Sequence, residues 1–254
     1  MDDDFLGEWQ TWRRAREERL TAPHGFLSIT GLHWLDATPE RYDGVPGAWS
    51  FGPDGVIVEL GPEESLTIGD REVRGRHLLG QVDEEGIRAR AGARLIEVAR
   101  RGDAVLLRPR DPAHPLRAQH RPTPSYPPTP EWVVTATFRP FDGEPPAADT
   151  VGEVEFAVAG QPVRLLAYDD DGGLWLVFAD ATSGRTTYAA GRQLYAPPPA
   201  PDGTVVLDFN RTTNLPCAYT DFTTCPVPLP ENRLTIAIEA GEQDPERSAA
   251  PAQH

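Results

Sequence analysis

The sequence predicts a mostly β protein, in which a short N-terminal helix is followed by two β-rich subdomains of barrel-like or sandwich-like form. Three observations support this prediction. Apolar residues recur with a helical period only near the N-terminus. After Pro23, short apolar runs alternate with polar residues and are interrupted by Gly, Pro or Asp roughly every ten residues, as in all-β folds. Prolines then crowd residues 111–130 and the last quarter of the chain, so we expect a proline-rich wrap to close the second subdomain.

The helix is expected from Phe5 to about Leu20. Acidic residues precede it and arginines gather toward its end, which complements the helix dipole. Phe5, Trp9 and Trp12 recur with helical spacing and form an apolar stripe. We therefore expect this aromatic face to pack on a sheet.

Strands are expected wherever the alternating runs are long enough. In the first subdomain these are 48–51, 56–60, 65–68, 87–91, 94–98 and 105–108. In the second they are 132–138, 154–158, 163–168, 174–178, 204–208 and 234–239. The predicted domain organisation is a helix at 1–22, subdomains at 23–115 and 116–243, and a disordered tail at 244–254.

A run of three aspartates and two glycines, DDDGG, separates two of these strands at residues 169–173. It offers the residues of a hairpin turn, and also three adjacent carboxylates that suit calcium. The EF-hand spacing with its distal glutamate is missing, so the hairpin turn is the preferred interpretation.

The overall charge argues against a nucleic-acid partner. The chain has 24 basic and 39 acidic residues and a net charge of −15, a field that repels phosphate backbones and anionic lipids. The start, MDDDFLGEW, lacks the basic and apolar regions of a secretory signal, and no apolar run is long enough to cross a bilayer. We expect a cytoplasmic protein without a membrane partner.

Lysine is absent from the sequence. Schiff-base enzymes and Walker-type phosphate loops need a lysine, so both classes are excluded. The six histidines form neither an HxH pair nor an HExxH motif. We therefore predict no cofactor and no metal.

The two cysteines, Cys217 and Cys225, are the weak candidates for a metal site. Seven residues separate them, against the two to four of a typical zinc half-site, and two further ligands would be needed. A disulfide between them would close a short loop and contribute about 2.5 kcal/mol in oxidising conditions. Two packed thiols are the expected state.

The last quarter of the chain, from Gly191, collects polar residues in a segment too rich in proline for regular structure. One interpretation is a polar clasp, in which Arg211 or Arg192 pairs with Glu231 or Asp208 and the asparagines bind loop carbonyls. The other is a small-molecule site that uses the same groups. Its candidate ligand-binding residues are Arg192, Asn210, Arg211, Asn214, Tyr219, Glu231 and Asn232.

Two alternatives to a binding protein remain open. In a hydrolase, Glu231 or Asp208 would act as general base and Arg211 would stabilise developing negative charge. In a structural or partner-binding module, the segment would be a polar clasp only.

The same segment resembles the DUF1684 family, a domain of unknown function, through the pattern LDFNRxxNxPCAYTxxxTCPxPxPENRLxxxIxAGE. The resemblance extends to APHGFLSITGLHWL, the FADATSGRTTY turn and the GRQLY strand. It implies a soluble, mostly β prokaryotic protein. Its hallmark falls on Asp208, Asn210, Arg211, Asn214, Pro216, Cys217, Tyr219, Cys225, Pro226, Glu231 and Asn232.

Overall fold

The structure, a computed structural model, describes residues 3–245 of the chain. It is mostly β, with 40% strand and 16% helix, as the sequence predicted. The chain divides into two compact units. The first contains the described residues up to Glu17, then Arg121–Tyr219 and the residues from Thr224 onward; the second contains Glu18–His120 and Thr220–Thr223. The bounds predicted for the subdomains from sequence stay a prediction.

Helices are few and mostly short. The α-helices are α1 (Asp3–Thr21) and α2 (Pro115–Gln119). The 3-10 helices are Phe26–Ser28, Pro130–Trp132, Phe209–Arg211, Pro216–Ala218 and Pro230–Asn232. The helix predicted at 5–20 is confirmed as α1. Three of the 3-10 helices begin with proline, whose fixed φ suits a first helical position and whose missing N–H is not needed there.

The second unit contains a six-stranded and a four-stranded antiparallel sheet. Its strands are β1 (His33–Leu35), β2 (Glu40–Arg41), β3 (Ala48–Gly52), β4 (Gly55–Glu59), β5 (Leu66–Ile68), β6 (Arg71–Val73), β7 (Arg76–Gly80), β8 (Ile87–Ala91), β9 (Arg94–Arg101) and β10 (Ala104–Arg110). The sheet orders are β1-β10-β9-β8-β5-β6 and β2-β3-β4-β7. Trp49, Val58, Ile96 and Leu107 come from both sheets and pack in one core.

One ion-pair cluster joins two strands of this unit. Glu97 on β9 accepts hydrogen bonds from Arg108 and Arg110 on β10, at 2.5 and 2.7 Å. Burial alone would raise the pKa of Glu97, but the two guanidinium groups outweigh it and the pKa is lowered. The carboxylate is therefore better stabilised in the folded protein than in the unfolded chain.

The first unit is built on one seven-stranded sheet of order β16-β11-β12-β13-β14-β15-β17. Its strands are β11 (Val133–Pro140), β12 (Thr150–Val158), β13 (Gln161–Asp170), β14 (Gly173–Phe178), β15 (Arg192–Ala196), β16 (Thr204–Asp208) and β17 (Thr213–Asn214). One face of the sheet packs around Phe156, Phe178 and Phe209, whose rings meet at centroid distances of 5.4 and 6.0 Å.

The DDDGG segment is the hairpin turn between β13 and β14. Asp170 pairs with Gly173, and the two residues between them, Asp171 and Gly172, have φ values of 51° and 85°. Positive φ at both central positions is the geometry of a type I′ turn, whose twist matches that of the flanking strands. The hairpin interpretation is confirmed.

The strand expected at 234–239 is wrong. After a single bridge between Arg233 and Ala179, this segment bonds to side chains as well as backbone: Ile238 donates to the Asp180 carboxylate, and its carbonyl accepts from Arg192. The alternating pattern does reflect burial, because Ile238 faces the core. Hydrogen bonds to side chains replace those of a neighbouring strand, and a periodic pattern of apolar residues does not show which partner the backbone has.

Two other segments have simple outcomes. The proline-rich stretch at 111–130 is irregular except for α2 and the start of the 3-10 helix at Pro130, as predicted. Of the predicted disordered tail at 244–254, residues from 246 onward lie outside the described part of the chain, while the Asp244 backbone N–H donates to the Thr186 carbonyl at 3.1 Å.

Among the described residues no helix combines the length and apolar character needed to span a membrane.

Candidate functional site

Asn232 occupies a gap in the sheet of the first unit. The bonded pairs of β13 and β14 end at Tyr168 and Trp175, although continuing the same register by two residues would place Leu166 opposite Val177. The Asn232 side chain fills this place: it donates to the carbonyls of Leu166 and Val177 at 2.9 Å and accepts from the Leu166 N–H at 2.7 Å. A wholly buried amide thus substitutes for backbone pairing between two diverging strands.

Arg192 and Asp180 form a buried ion pair. Arg192 Nη2 lies 2.8 Å from Asp180 Oδ2, and neither side chain is exposed to solvent. The guanidinium also donates to the carbonyls of Ile238, Ala240 and Glu242, which fixes the C-terminal segment. Asp180 Oδ1 accepts from the Thr182 N–H and hydroxyl. Arg192 pairs with Asp180 rather than with Glu231 or Asp208, the partners considered from sequence.

Glu242 is the centre of a second buried cluster. Its Oε1 accepts from Arg16 Nε at 3.0 Å and from Arg13 at 3.2 Å. Its Oε2 accepts from the Asn214 N–H at 2.7 Å and from the Tyr219 hydroxyl at 2.9 Å. The Asn214 side chain donates to the Gln243 carbonyl at 2.8 Å. The cluster ties α1 to the two ends of the polar segment.

The electrostatics of this cluster favour a protonated Tyr219. Burial raises the pKa of the Tyr219 hydroxyl, and the neighbouring Glu242 carboxylate raises it further. Burial alone would lower the pKa of Arg16, but Glu242 and Tyr219 reverse this and the pKa is raised. Tyr219 is therefore a hydrogen-bond donor to the carboxylate, and Arg16 remains charged beneath it.

Asn210 holds the turn after β16. Its side chain exchanges two hydrogen bonds with the backbone of Thr129, both at 2.9 Å, and donates a third to Asp208 at 2.9 Å. The backbone carbonyl of Asn210 accepts a hydrogen bond from the Trp9 indole N–H at 3.0 Å. Every polar group of this side chain is engaged in fixing the backbone that carries Arg211.

Arg211 differs from the buried polar residues described above because its side chain is 39% exposed. Its Nε lies 3.0 Å from Asp208 Oδ2, without the alignment of a hydrogen bond, and its Nη2 lies 3.9 Å from Glu8. It borders an open cleft of about 690 Å³. The cleft is lined by Asp4, Gly7, Glu8, Thr11, Trp12 and Arg211.

Five of these lining residues form one stripe of α1. They recur at positions 4, 7, 8, 11 and 12, which is the spacing of a single helix face. Gly7 lies within this stripe, and a Cβ there would meet no atom within 4 Å. A glycine inside a helix costs about 1 kcal/mol relative to alanine. No described atom approaches closely enough to require glycine here, so its effect is to leave this wall of the cleft open.

The two cysteines are neighbours in space and are thiols. The Cys217 N–H donates to Cys225 Sγ at 3.1 Å, and the Tyr188 hydroxyl donates to the Cys217 carbonyl at 3.0 Å. The pKa of Cys217 is raised, chiefly by its hydrogen bond with Cys225 and then by burial. Within residues 3–245 no group of three or more His, Cys, Asp or Glu side chains is arranged to hold a metal ion.

The predicted site residues therefore fall into three groups. Arg192, Asn214, Asn232, Asn210 and Tyr219 are buried and bonded within the first unit. Arg211 and Asp208 pair at the cleft. Glu231 is exposed, and no hydrogen bond or ion pair joins it to the described residues.

Sequence reasoning did not place Asp180, Arg16 or Glu242 in the candidate site, although they hold the buried arginine and tyrosine. The signal for Glu242 was present, since it ends the AGE of the quoted pattern. Asp180 likewise lies in the quoted FADATSGRTTY turn. The contribution of α1 to the Glu242 cluster had no sequence signal, because its partners there lie at least 198 positions further along the chain.

Comparison with known proteins agrees with the pattern in the polar segment. The model of the family described as "Protein of unknown function (DUF1684)" matches residues 118–243. Residues 118–243 are similar to this family, in agreement with the resemblance of the polar segment. The region contains the whole seven-stranded sheet, and its buried arginine, asparagines and glutamate are the groups that close that sheet.

A solved structure is also similar to the chain. It is the solution NMR structure of an uncharacterized protein from gene locus rrnAC0354 of Haloarcula marismortui, 28% identical, covering 50% of this chain and 78% of that chain with a TM-score of 0.43. No match was found among curated proteins. The DUF1684 region lacks α1, so Gly7 and Trp12 of the cleft lie outside it while Arg211 lies within it.

Proposed function

We propose that the protein binds a small molecule in the cleft between α1 and Arg211. The observation that carries the proposal is the cleft itself, a space of about 690 Å³ with an arginine at its rim and a glycine that leaves the helix wall open. Small-molecule sites have volumes of roughly 300–1,000 Å³ and a few oriented polar groups. In this proposal Arg211 contacts the ligand, and the buried polar residues hold Arg211 in position.

The charges around the cleft restrict the ligand. Asp4, Glu8 and Asp208 surround the single arginine, so the cleft has an excess of negative charge. A cationic group is attracted by these carboxylates and by the face of Trp12. Arg211 offers donors to a carbonyl or carboxylate of the same molecule. The ligand class that fits is a small zwitterion or an amine that also has an acceptor group.

The first experiment is a thermal-shift screen of amines and amino-acid-like metabolites with the whole protein. A ligand at 100 times its Kd stabilises the folded state by about 2.7 kcal/mol, which raises Tm by several degrees. Hits are then measured by titration calorimetry. Failure of all such compounds to shift Tm would argue against the proposed ligand class.

Two variants assign a hit to the cleft. Gly7→Leu places a side chain into open space, so we expect an intact fold and at least tenfold weaker binding. Arg211→Gln should also weaken binding, since it removes the charged donors. The matched control is Gln10→Leu, which introduces the same leucine at an exposed position of α1 that does not line the cleft. Binding unchanged in both cleft variants would refute the proposal.

A purely structural role is the competing function, and the buried bonding of Arg192, Asn214 and Asn232 favours it. It predicts that Gly7→Leu stabilises the protein by up to about 1 kcal/mol and that no small molecule binds in the cleft. The same calorimetry distinguishes the two functions. For the hydrolase alternative, Glu231→Gln should abolish turnover without loss of stability, because Glu231 is exposed.

A further inference from the structure

The two thiols of the first unit are held in contact by a segment that has little freedom to move. Cys217 follows Pro216 in a 3-10 helix, and Cys225 precedes Pro226. Proline restricts the backbone of the residue before it, so Pro226 constrains Cys225, while the hydrogen-bonded 3-10 helix fixes the backbone at Cys217. The hydrogen bond from the Cys217 N–H to Cys225 Sγ, at 3.1 Å, places the sulfur of Cys225 against the backbone of Cys217.

The contact also makes the two sulfurs unequal. Cys225 Sγ accepts a hydrogen bond from the Cys217 backbone, and such a bond stabilises a thiolate. Cys217 keeps its proton more strongly, because its pKa is raised by the same neighbour. Cys225 is therefore expected to ionise first and to act as the attacking thiolate, with Cys217 as the resolving thiol. Both side chains are partly exposed, so a small reagent has access to them.

We propose that Cys217 and Cys225 form a reversible intramolecular disulfide by exchange with a small disulfide such as oxidised glutathione. The Cys225 thiolate attacks one sulfur of the reagent and releases one thiolate, which leaves a mixed disulfide on Cys225. Cys217 then loses its proton and attacks Cys225 Sγ, which releases the second small thiol. In sum, two protein thiols and one small disulfide give one protein disulfide and two small thiols. The two electrons lost by the protein reduce the reagent.

This inference is independent of the proposed ligand cleft, since neither cysteine lines it. The disulfide would close the loop between Cys217 and Cys225, which contains Tyr219, the hydrogen-bond donor to the buried Glu242. It would convert a hydrogen-bonded contact into a covalent link under oxidising conditions. The site is thus a redox-dependent modification site within the DUF1684 region.

The experiment uses the whole folded protein, in which these are the only two cysteines. Reduced protein is incubated with glutathione buffers of increasing oxidised fraction and quenched with acid. It is then redissolved in denaturant at neutral pH with N-ethylmaleimide and measured by intact mass spectrometry. We expect the maleimide adducts to fall from two to none as the buffer becomes oxidising, with a mass loss of two hydrogen atoms and an unchanged circular dichroism spectrum. Reductant should restore both adducts.

Single variants test the order of attack. Cys217→Ser keeps Cys225 and its backbone donor, whereas Cys225→Ser keeps Cys217, a thiol whose pKa burial still raises. Each variant should stop at the mixed disulfide with glutathione. Cys217→Ser should form it at least about threefold faster than Cys225→Ser near neutral pH. The proposal is overturned if the wild-type protein accumulates two glutathione adducts or intermolecular dimers, or if it oxidises only in denaturant. It needs no variant to fold, because the wild-type titration decides it.

Discussion

Removing the charge of Asp180 should strongly destabilise the protein. In the folded state Arg192 and Asp180 are both fully buried and 2.8 Å apart. Asp180→Asn has nearly the same shape, and its carbonyl oxygen can still accept from Thr182. The substitution removes the countercharge and leaves a buried guanidinium that has only backbone carbonyls as partners. Breaking a buried pair in this way costs about 3–5 kcal/mol.

That cost is a large part of the stability of a typical folded protein, about 5–15 kcal/mol. Because 1 kcal/mol shifts Tm by roughly 2–4 °C in proteins of 150–250 residues, we expect a fall in Tm of roughly 6–20 °C. The assay is urea unfolding at pH 7, followed by tryptophan fluorescence and circular dichroism. The expected result is a lower unfolding midpoint in Asp180→Asn.

The matched control breaks an ion pair of the same type at the surface. Arg76 and Glu59 are 3.4 Å apart, and their side chains are 65% and 50% exposed. Glu59→Gln should change the free energy of unfolding by about 0–1 kcal/mol, because water screens such pairs. If Asp180→Asn differs from Glu59→Gln by less than about 1 kcal/mol, burial does not make the Arg192 pair important for stability, and the reasoning is refuted.

Three further predictions concern other parts of the chain. Asn232→Ala should lower the free energy of unfolding by about 2–4 kcal/mol, because three buried backbone groups lose their hydrogen-bond partner. The control Glu231→Gln, at an exposed position, should change that free energy by less than about 0.5 kcal/mol, and urea unfolding midpoints compare the two variants. Because the pKa of Glu97 is lowered in the folded protein, its carboxylate stabilises the fold above the unfolded-state pKa, and this stabilisation is lost as pH falls through the folded-state pKa. The difference in free energy of unfolding between wild type and Glu97→Gln should therefore shrink from pH 7 to pH 3. Oxidation of Cys217 and Cys225 should raise the free energy of unfolding by about 2.5 kcal/mol, and equal urea midpoints for oxidised and reduced protein would contradict this.

Local patterns predicted a helix, several strands and a turn, although not the partners with which they pack. The helix α1, the type I′ hairpin at Asp171 and Gly172, and the strands Ile87–Ala91 and Thr204–Asp208 follow from periodicity and turn chemistry. The short strands β2 and β17, two residues each, have no such period and were not predicted.

The partners of the polar segment could not be predicted in this way. An arginine shows that an acceptor is needed but not which one, so Asp180 was missed as the partner of Arg192. The strand expected at 234–239 failed for the same reason, since side chains of Asp180 and Arg192 take the backbone bonds that a neighbouring strand would otherwise make.

By itself, the amino-acid sequence determined that this chain is mostly β, that it has no lysine chemistry, and that its polar residues crowd into the DUF1684 pattern. Only the tertiary structure decided which of those residues are buried. Burial depends on contacts between segments far apart in the chain, such as Arg16 with Glu242 across 226 positions. Those contacts leave Arg211 partly exposed beside Gly7 and bring two thiols together, and no local pattern contains that information.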